Sequence, residues 1–180
     1  TVFTGAVMAL QVSYTLSAYG ANLYLGSFTA LAIVKELGPV LSAVMLTARV
    51  GAGITAELGS MTVTEQVDAL RAFGASPTKK LVVPRLIALL VMLPVLTTIG
   101  NVFGITGGLY VAIYEVGQPG EYYWSKVREF LTVGDVVTGT AKTLFFALFI
   151  GLIACRNGLQ TRGGATGVGQ ATTNTVVAAS

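Results

Sequence analysis

Four charged side chains stand inside long apolar runs of this 180-residue sequence, and they are its strongest chemical signal. Lys35 and Glu36 are adjacent in one run, Arg49 follows in the same run, and Lys142 stands in a later one. A charge at the centre of a membrane span costs about 2.5–3.5 kcal/mol on insertion scales, so such residues usually face a partner or a wet cavity. Two interpretations therefore stay open: structural ion pairs, with the lysines extending toward the interface, or a polar cavity with a function.

Other chemistry is poorly represented. The chain has no histidine, the commonest metal ligand and general base, and its single cysteine, Cys155, excludes a disulfide within the chain. No GxxxxGK[ST] phosphate loop is present, and GGATGVG at 163–169 lacks the lysine and the preceding strand. A net charge of +3 is too small to indicate a nucleic-acid partner. We therefore predict no metal site, no cofactor in this chain and no enzymatic role.

The composition of the chain is typical of a membrane protein. Hydrophobic residues make up 53% of it and charged residues 11%, its mean hydropathy is +0.75, and soluble domains carry about 25% charged residues. A transmembrane helix needs roughly 20 residues, so four or five fit in this length. We predict an all-α integral membrane protein with five spans, at about 2–19, 28–56, 81–114, 136–155 and 165–180. Pro39 is the expected kink in the second span, and a polar segment, 115–135, separates the third from the fourth.

The placement of basic residues orients these spans. Two loops, with the first turn of the third span, contain six basic residues: Arg71, Lys79, Lys80, Arg85, Arg156 and Arg162. The segment between the third and fourth spans contains only Lys126 and Arg128 beside four acids. The positive-inside rule then places the two basic loops in the cytoplasm. Because the first residues lie within an apolar stretch and the last ones within a weakly apolar run, we expect both ends to continue in the native protein.

Small residues recur at helical spacing in the second span: Ala48, Ala52 and Ala56 on one row, with Gly51 and Thr55 on the next. Small residues let membrane helices approach closely. Packing within the chain is the simpler interpretation, and a subunit interface is the alternative.

A short amphipathic helix is predicted directly after the second span. Thr62 and Glu65 have the spacing of a capping box, and Val63, Val67, Leu70 and Phe73 share one face. Asp68 falls early and Arg71 late, as the helix dipole prefers, and Gly74 with Pro77 ends the helix. A helix of about eleven residues is not stable alone, so its apolar face needs a partner. That partner is either the membrane body of the chain or a separate cytoplasmic subunit.

Two sequence blocks carry a family resemblance: ELGPVLSAVMLTARVGAGITAELGSMTVTEQVDAL from residue 36, and GGATGVGQATTNTVV from residue 163. Together with TVFTGAVMALQ at the start, they make the chain closely similar to the MlaE/YrbE permeases of ABC transporters, which work with MCE-domain proteins in lipid trafficking. The resemblance implies one permease domain over 1–180 that lacks an N-terminal interfacial helix and the end of the last span. It also implies a multi-pass protein of the bacterial inner membrane.

The resemblance implies partners as well. They are a second permease copy, as a homodimer or in some branches a heterodimer, a cytoplasmic ABC ATPase that binds ATP and Mg²⁺, a periplasmic MCE-domain protein, a small STAS-type cytoplasmic subunit and phospholipid. The implied function is movement of phospholipid between the inner membrane and the MCE assembly. An ion-coupled secondary transporter of an amphipathic substrate is the alternative, since broken spans and intramembrane charges suit it equally.

Site residues follow from the family pattern. The apolar lining of a lipid cavity at the dimer interface matches Met8, Thr15, Leu16 and Tyr19, with Gln11 on the same helix. A polar cluster beside that cavity matches Lys35, Glu36 and Lys142, and the acidic partner of Lys142 is expected in the last span beyond Ser180. The coupling helix to the ATPase matches Thr62–Gly74, with contacts from Thr62, Glu65, Val67, Asp68, Leu70, Arg71 and Phe73. Arg49 falls in the cytoplasmic half of its span, where we expect a structural pairing near the coupling helix.

Overall fold

The computed structural model describes the backbone of all 180 residues and every side chain except that of Asn22. Over this described backbone the chain is helical without strands. The α-helices are α1 (Val2–Ala18), α2 (Leu25–Ala32), α3 (Gly38–Leu46), α4 (Ala52–Val63), α5 (Gln66–Ala72), α6 (Val83–Tyr114), α7 (Gly120–Phe130), α8 (Val133–Leu159) and α9 (Gly164–Ala179). A 3₁₀ turn at Asn22–Tyr24 precedes α2, and π-helical segments occupy Ile33–Leu37, Thr47–Gly51 and Thr78–Val82. The predicted all-α class is confirmed.

Three helical stretches are long and apolar enough to cross a membrane: Leu25–Val63, Thr78–Tyr114 and Val133–Leu159. They contain the predicted second, third and fourth spans. Each helical stretch extends a few residues beyond the predicted span at both ends, except at residue 114, where the two agree. The predicted first and fifth spans are helical too, but α1 has 17 residues and α9 has 16. That α1 and α9 cross the membrane therefore stays a prediction.

Prolines and glycines affect the long helices in different ways. Pro94 lies inside α6, which continues without a break despite four glycines further along it. The second stretch departs from α-helical bonding near Pro39: the π-helical turn Ile33–Leu37 ends two residues before the proline. Gly38 N–H donates to the Ile33 carbonyl five residues back. Such π-bulges occur often at functional sites.

The chain forms two compact units, Thr1–Ser42 with Pro94–Lys142, and Ala43–Leu93 with Thr143–Ser180. In the first unit, α2 and the turn after it pack against α6 and α7 around the fully buried Tyr123, whose hydroxyl donates to the Ile105 carbonyl at 3.1 Å. Burial raises the pKa of Tyr123 above its ordinary value. Glycines bring α1 against α6, since a Cβ on Gly5 would overlap the backbone of Gly104. Close backbone contact of this kind drives helix association in lipid.

The second unit joins α4, α8 and α9 through a buried polar seam. Thr55 Oγ1 lies 2.9 Å from Thr175 Oγ1 and donates to main-chain carbonyls, while Asn157 Nδ2 donates to Thr175 Oγ1 at 2.9 Å. Gly51, one turn before Thr55, is buried beside Ile150. The Gly51 and Thr55 row therefore packs within the chain, as the simpler interpretation predicted. Ala48 of the other row is exposed.

One helix was not predicted. The polar segment 115–135 contains α7, whose Tyr123 and Val127 are buried four residues apart while Glu121, Ser125 and Glu129 face outward. The spacing of these two apolar residues, after Pro119 at the helix start, was the available signal. The net polarity of the segment concealed it.

We predict that Gly5→Val separates α1 from α6, because the added atoms meet the Gly104 backbone, which cannot move aside as a flexible side chain would. The expected cost is about 1–3 kcal/mol, the range for overpacking. Thermal unfolding in detergent measures it. Gly169→Ala is the matched control, since a Cβ there meets nothing within 4 Å. Equal unfolding temperatures for the two variants would contradict the proposed close contact.

Candidate functional site

Four charged residues of the first unit form one cluster. Lys35 Nζ lies 2.7 Å from Asp135 Oδ1, and Lys142 Nζ lies 2.8 Å from Glu36 Oε1. Two cations thus face two anions, so each of these charges in the apolar helices has a counter-ion. Both ion pairs are accessible to solvent, since the side chains of Lys35 and Glu36 are 43% and 66% exposed. The structure therefore combines the two open interpretations: the charges are paired, and they also form an accessible polar surface.

Lys142 also repairs the backbone of the π-helical turn. Pro39 has no N–H, so the carbonyl of Lys35 four residues earlier loses its normal helical donor. The Lys142 ammonium donates to that carbonyl at 2.9 Å. In hydrocarbon an unsatisfied carbonyl costs several kcal/mol, so this bond gives Lys142 a second structural role beside the ion pair with Glu36. Gly139, one turn before Lys142, permits the approach, because a Cβ there would overlap the Val34 carbonyl oxygen.

Asp135 uses its two carboxylate oxygens separately. Oδ1 takes the Lys35 ion pair, while Oδ2 accepts from the Thr132 N–H at 3.0 Å and from Thr132 Oγ1 at 2.8 Å. The Asp135 N–H donates back to Thr132 Oγ1 at 3.3 Å. These bonds form a capping box at the start of α8, where the helix dipole also favours a negative charge. The cap therefore fixes the carboxylate that Lys35 needs.

Lys142 has an acidic partner within the chain, Glu36 of the same cluster. The acidic partner that the family pattern implies beyond Ser180 stays a prediction. Asp135 was not among the predicted site residues. Its spacing from Thr132 was a signal that could have placed it at a helix start, but sequence alone does not place that start beside Lys35.

The predicted lipid-lining residues separate into two groups on α1. Gln11, Thr15 and Tyr19 are exposed, and Met8 is half-buried. Leu16 instead packs against the core of the first unit. The exposed face has its own large apolar side chains, since Phe3 and Tyr14 are each 80% exposed. This face, rather than Leu16, is available to a ligand or to another chain.

The predicted capping box at Thr62 and Glu65 is wrong. Thr62 lies within α4, where its hydroxyl donates to the Leu58 carbonyl at 2.8 Å and to the Gly158 carbonyl at 3.3 Å. Glu65 is itself the N-cap of α5, with a left-handed φ of 61° and no side-chain cap bond. The box does not form because α4 continues through Thr62 to Val63, which moves the N-cap of the next helix to Glu65. Thr62 therefore lies outside α5.

The apolar face of α5 is shared between two environments. Val67 is 2% exposed and Leu70 is half-buried, whereas Phe73 is 87% exposed. Asp68 and Arg71 form a 2.7 Å ion pair that is exposed on both sides and contributes little to stability. Gly74, with φ of 73°, ends the helix as predicted. Val67 thus anchors α5 to the chain and Phe73 remains open to a partner.

Arg49 has a different environment from the other charges. In the middle of α4, Glu57 pairs with Arg85 at 2.6 Å, and Arg85 also donates to the Leu81 carbonyl. Among all side chains that the structure describes, Arg49 makes neither an ion pair nor a hydrogen bond, and it is exposed. The expected structural pairing of Arg49 is therefore wrong within this chain.

We predict that the cost of Lys142→Met depends on Pro39. Removing the ammonium leaves Glu36 and the Lys35 carbonyl without a donor, for an expected loss of about 1–3 kcal/mol. In a Pro39→Ala background, the restored N–H can reach that carbonyl, so the same substitution should cost less. A thermal-stability cycle of the four proteins in detergent measures the difference. Equal costs in the two backgrounds would show that Lys142 acts through Glu36 alone.

Comparison with known proteins finds relatives along the whole chain. The profile of the family described as Permease MlaE matches residues 1–180. A probable ABC transporter permease protein of Rickettsia typhi is 43% identical over 178 residues, covering 98% of this chain and 68% of that protein. One of Synechocystis is 41% identical over 177 residues, covering 97% and 66%. The intermembrane phospholipid transport system permease protein MlaE of Haemophilus influenzae is 35% identical over 180 residues, covering 99% and 69%. The chain thus belongs to the MlaE family of ABC transporter permeases and is a multi-pass membrane protein.

Proposed function

We propose that this chain is the permease through which an ABC transporter of the bacterial inner membrane moves phospholipid to or from a periplasmic MCE-protein assembly. The observation that carries the proposal is similarity over 99% of this chain to a permease named for intermembrane phospholipid transport. A second copy of the chain, a cytoplasmic ATPase and a small STAS-type subunit complete the proposed machine. ATP and Mg²⁺ bind to the ATPase, which leaves this chain with a non-catalytic role.

Coupling to the ATPase is assigned to α5. It follows a candidate span, it is anchored by one buried side chain, and it presents Phe73 almost fully to solvent. A large aromatic side chain exposed in a polar loop suits a protein interface, where such residues often dominate binding. The basic residues around this loop place it in the cytoplasm by the positive-inside rule. Closure of the ATPases would then move α5 and, through Val67, the second unit.

The lipid path is assigned to the exposed face of α1 and to the cluster of Lys35, Glu36, Asp135 and Lys142. Aromatic and aliphatic side chains on that face suit acyl chains. The accessible parts of the cluster offer both charge signs to a phospholipid headgroup. Movement requires that the path contact lipid differently before and after ATPase closure. Because the relatives are named as ABC transporter permeases, the ion-coupled alternative has less support.

We predict that Phe73→Asp prevents co-purification of the ATPase while the thermal stability of the permease stays unchanged, because Phe73 is 87% exposed. Hot-spot aromatic residues contribute about 2 kcal/mol or more, which corresponds to a loss of roughly 30-fold in affinity. Pull-down of the tagged permease measures it.

Two variants serve as controls for this experiment. Ser76→Asp adds the same carboxylate three residues later without removing an apolar side chain, and it should retain the ATPase. Val67→Asp should lower the stability of the permease itself, since Val67 is 2% exposed. Unchanged ATPase recovery with Phe73→Asp would remove α5 from the coupling role.

Lipid contact on α1 is tested by photocrosslinking. A photoreactive residue at Gln11 should capture phospholipid in the assembled complex to an extent that changes between nucleotide-free and ATP-bound states. The same residue at Val102, exposed on α6, should capture surrounding lipid equally in both states. A position at Leu16 should capture less, since Leu16 packs into the core. Nucleotide-independent capture at Gln11 would place it against bulk lipid and outside the path.

A further inference from the structure

Arg49 is a charge that the chain itself leaves without a partner at membrane depth. It lies inside the candidate span Leu25–Val63, about 12 Å along the helix from Glu57, since each residue adds roughly 1.5 Å. The other charges well inside the three candidate spans are held in ion pairs: Lys35, Glu36, Asp135 and Lys142 with one another, and Glu57 with Arg85. A guanidinium does not lose its charge by deprotonation, so Arg49 needs an external anion or acceptor.

The surface around Arg49 has room for such a group. Residues four apart along the helix, Met45, Arg49, Gly53 and Glu57, are all exposed and form one row. Met45 is 67% exposed and apolar, and a Cβ on Gly53 would meet nothing within 4 Å. The row therefore has open space at Gly53, four residues after Arg49, between an apolar side chain and a carboxylate.

A second copy of the chain does not supply the missing anion. Of its eight acidic residues, five are already in ion pairs, and the remaining three, Glu65, Glu115 and Glu121, lie outside the candidate spans. Two copies related by a twofold axis along the membrane normal present equal residues at equal depth. The row's own Glu57 would then lie about 12 Å from the depth of Arg49 in either copy. Charge complementarity therefore favours a ligand over a protein partner.

We propose that Arg49 binds the phosphodiester of a phospholipid that occupies the open space beside Gly53, with an acyl chain along Met45. Arginine presents a planar fork of donors that matches phosphate oxygens in pairs. The site rests on the proposed function, because it gives the phosphate of the transported lipid a cationic contact. Arg49 is thereby a substrate-binding residue.

Binding is measured with the full-length chain, purified in detergent with the subunits that accompany it, and titrated with fluorescent phosphatidylglycerol. Diacylglycerol with the same tails is the probe without a phosphate. Arg49→Gln should weaken phosphatidylglycerol binding about tenfold, as expected for loss of a charged hydrogen bond, and leave diacylglycerol binding unchanged. Arg49→Lys retains the charge without the planar fork of donors. Its affinity for phosphatidylglycerol should lie between those of the parent protein and Arg49→Gln. Arg156→Gln, which removes an exposed charge near the end of α8, should bind as the parent protein does.

A second variant tests the space itself. Gly53→Leu keeps Arg49 and its Cβ meets nothing within 4 Å, so it should fold and yet weaken phosphatidylglycerol binding. The proposal is overturned if Arg49→Gln binds phosphatidylglycerol like the parent protein, or if the substitution weakens the binding of phosphatidylglycerol and of diacylglycerol equally. It is also overturned if Ala48→Cys, in a Cys155→Ala background, forms a disulfide between two copies in high yield. Failure of the parent protein to bind either lipid would instead contradict the proposed lipid function.

Discussion

Every polar backbone group in a membrane-spanning stretch must find a partner within the protein, and this constraint organises the first unit. Pro39 removes one donor, which leaves the Lys35 carbonyl open at a π-helical turn. The Lys142 ammonium occupies that position, and once an ammonium is there, Glu36 becomes the natural counter-ion. The glycine at 139 then follows from the need to bring α8 this close to the turn. The N–H that Pro39 lacks thus accounts for a lysine, a glutamate and a glycine in two separate parts of the sequence.

Much of the architecture could be predicted from the sequence. Long apolar runs with few charges leave a helix as the only spanning structure available to them, so the three long stretches and the helical class were readable. The small residues at 51 and 55 correctly indicated close packing. The ends of these helices were predicted less accurately. Hydropathy indicates where the apolar run ends, whereas the helix continues into the next hydrogen-bonded turn.

The capping boxes show why local pattern was insufficient for the finer features. Thr62 with Glu65 and Thr132 with Asp135 have the same spacing, yet only the second pair forms a box. What separates them is where the preceding helix ends: α4 continues through Thr62, whose hydroxyl donates to the Leu58 and Gly158 carbonyls, so Glu65 becomes the N-cap of α5. The pairing of Lys35 with Asp135 and of Lys142 with Glu36 depends in the same way on which residues of α8 approach the π-helical turn. Spacing along one helix contains no information about the helix beside it.

The distinction between satisfied and unsatisfied groups separates structure from function in this protein. A paired charge or a buried apolar side chain is already explained by folding, as Val67 and Asp135 are. Phe73 and Arg49 are exposed in settings where folding alone would disfavour them: an aromatic ring in a polar loop and a guanidinium in an apolar span. A chain that supplies a partner to Lys35, Glu36, Asp135 and Lys142 has the means to pair a fifth charge. Leaving Arg49 open costs stability, and a ligand that brings its own negative charge recovers that cost only while it is bound. An unpaired residue of this kind makes the affinity for lipid sensitive to any movement of the helix that carries it, which a transport cycle requires.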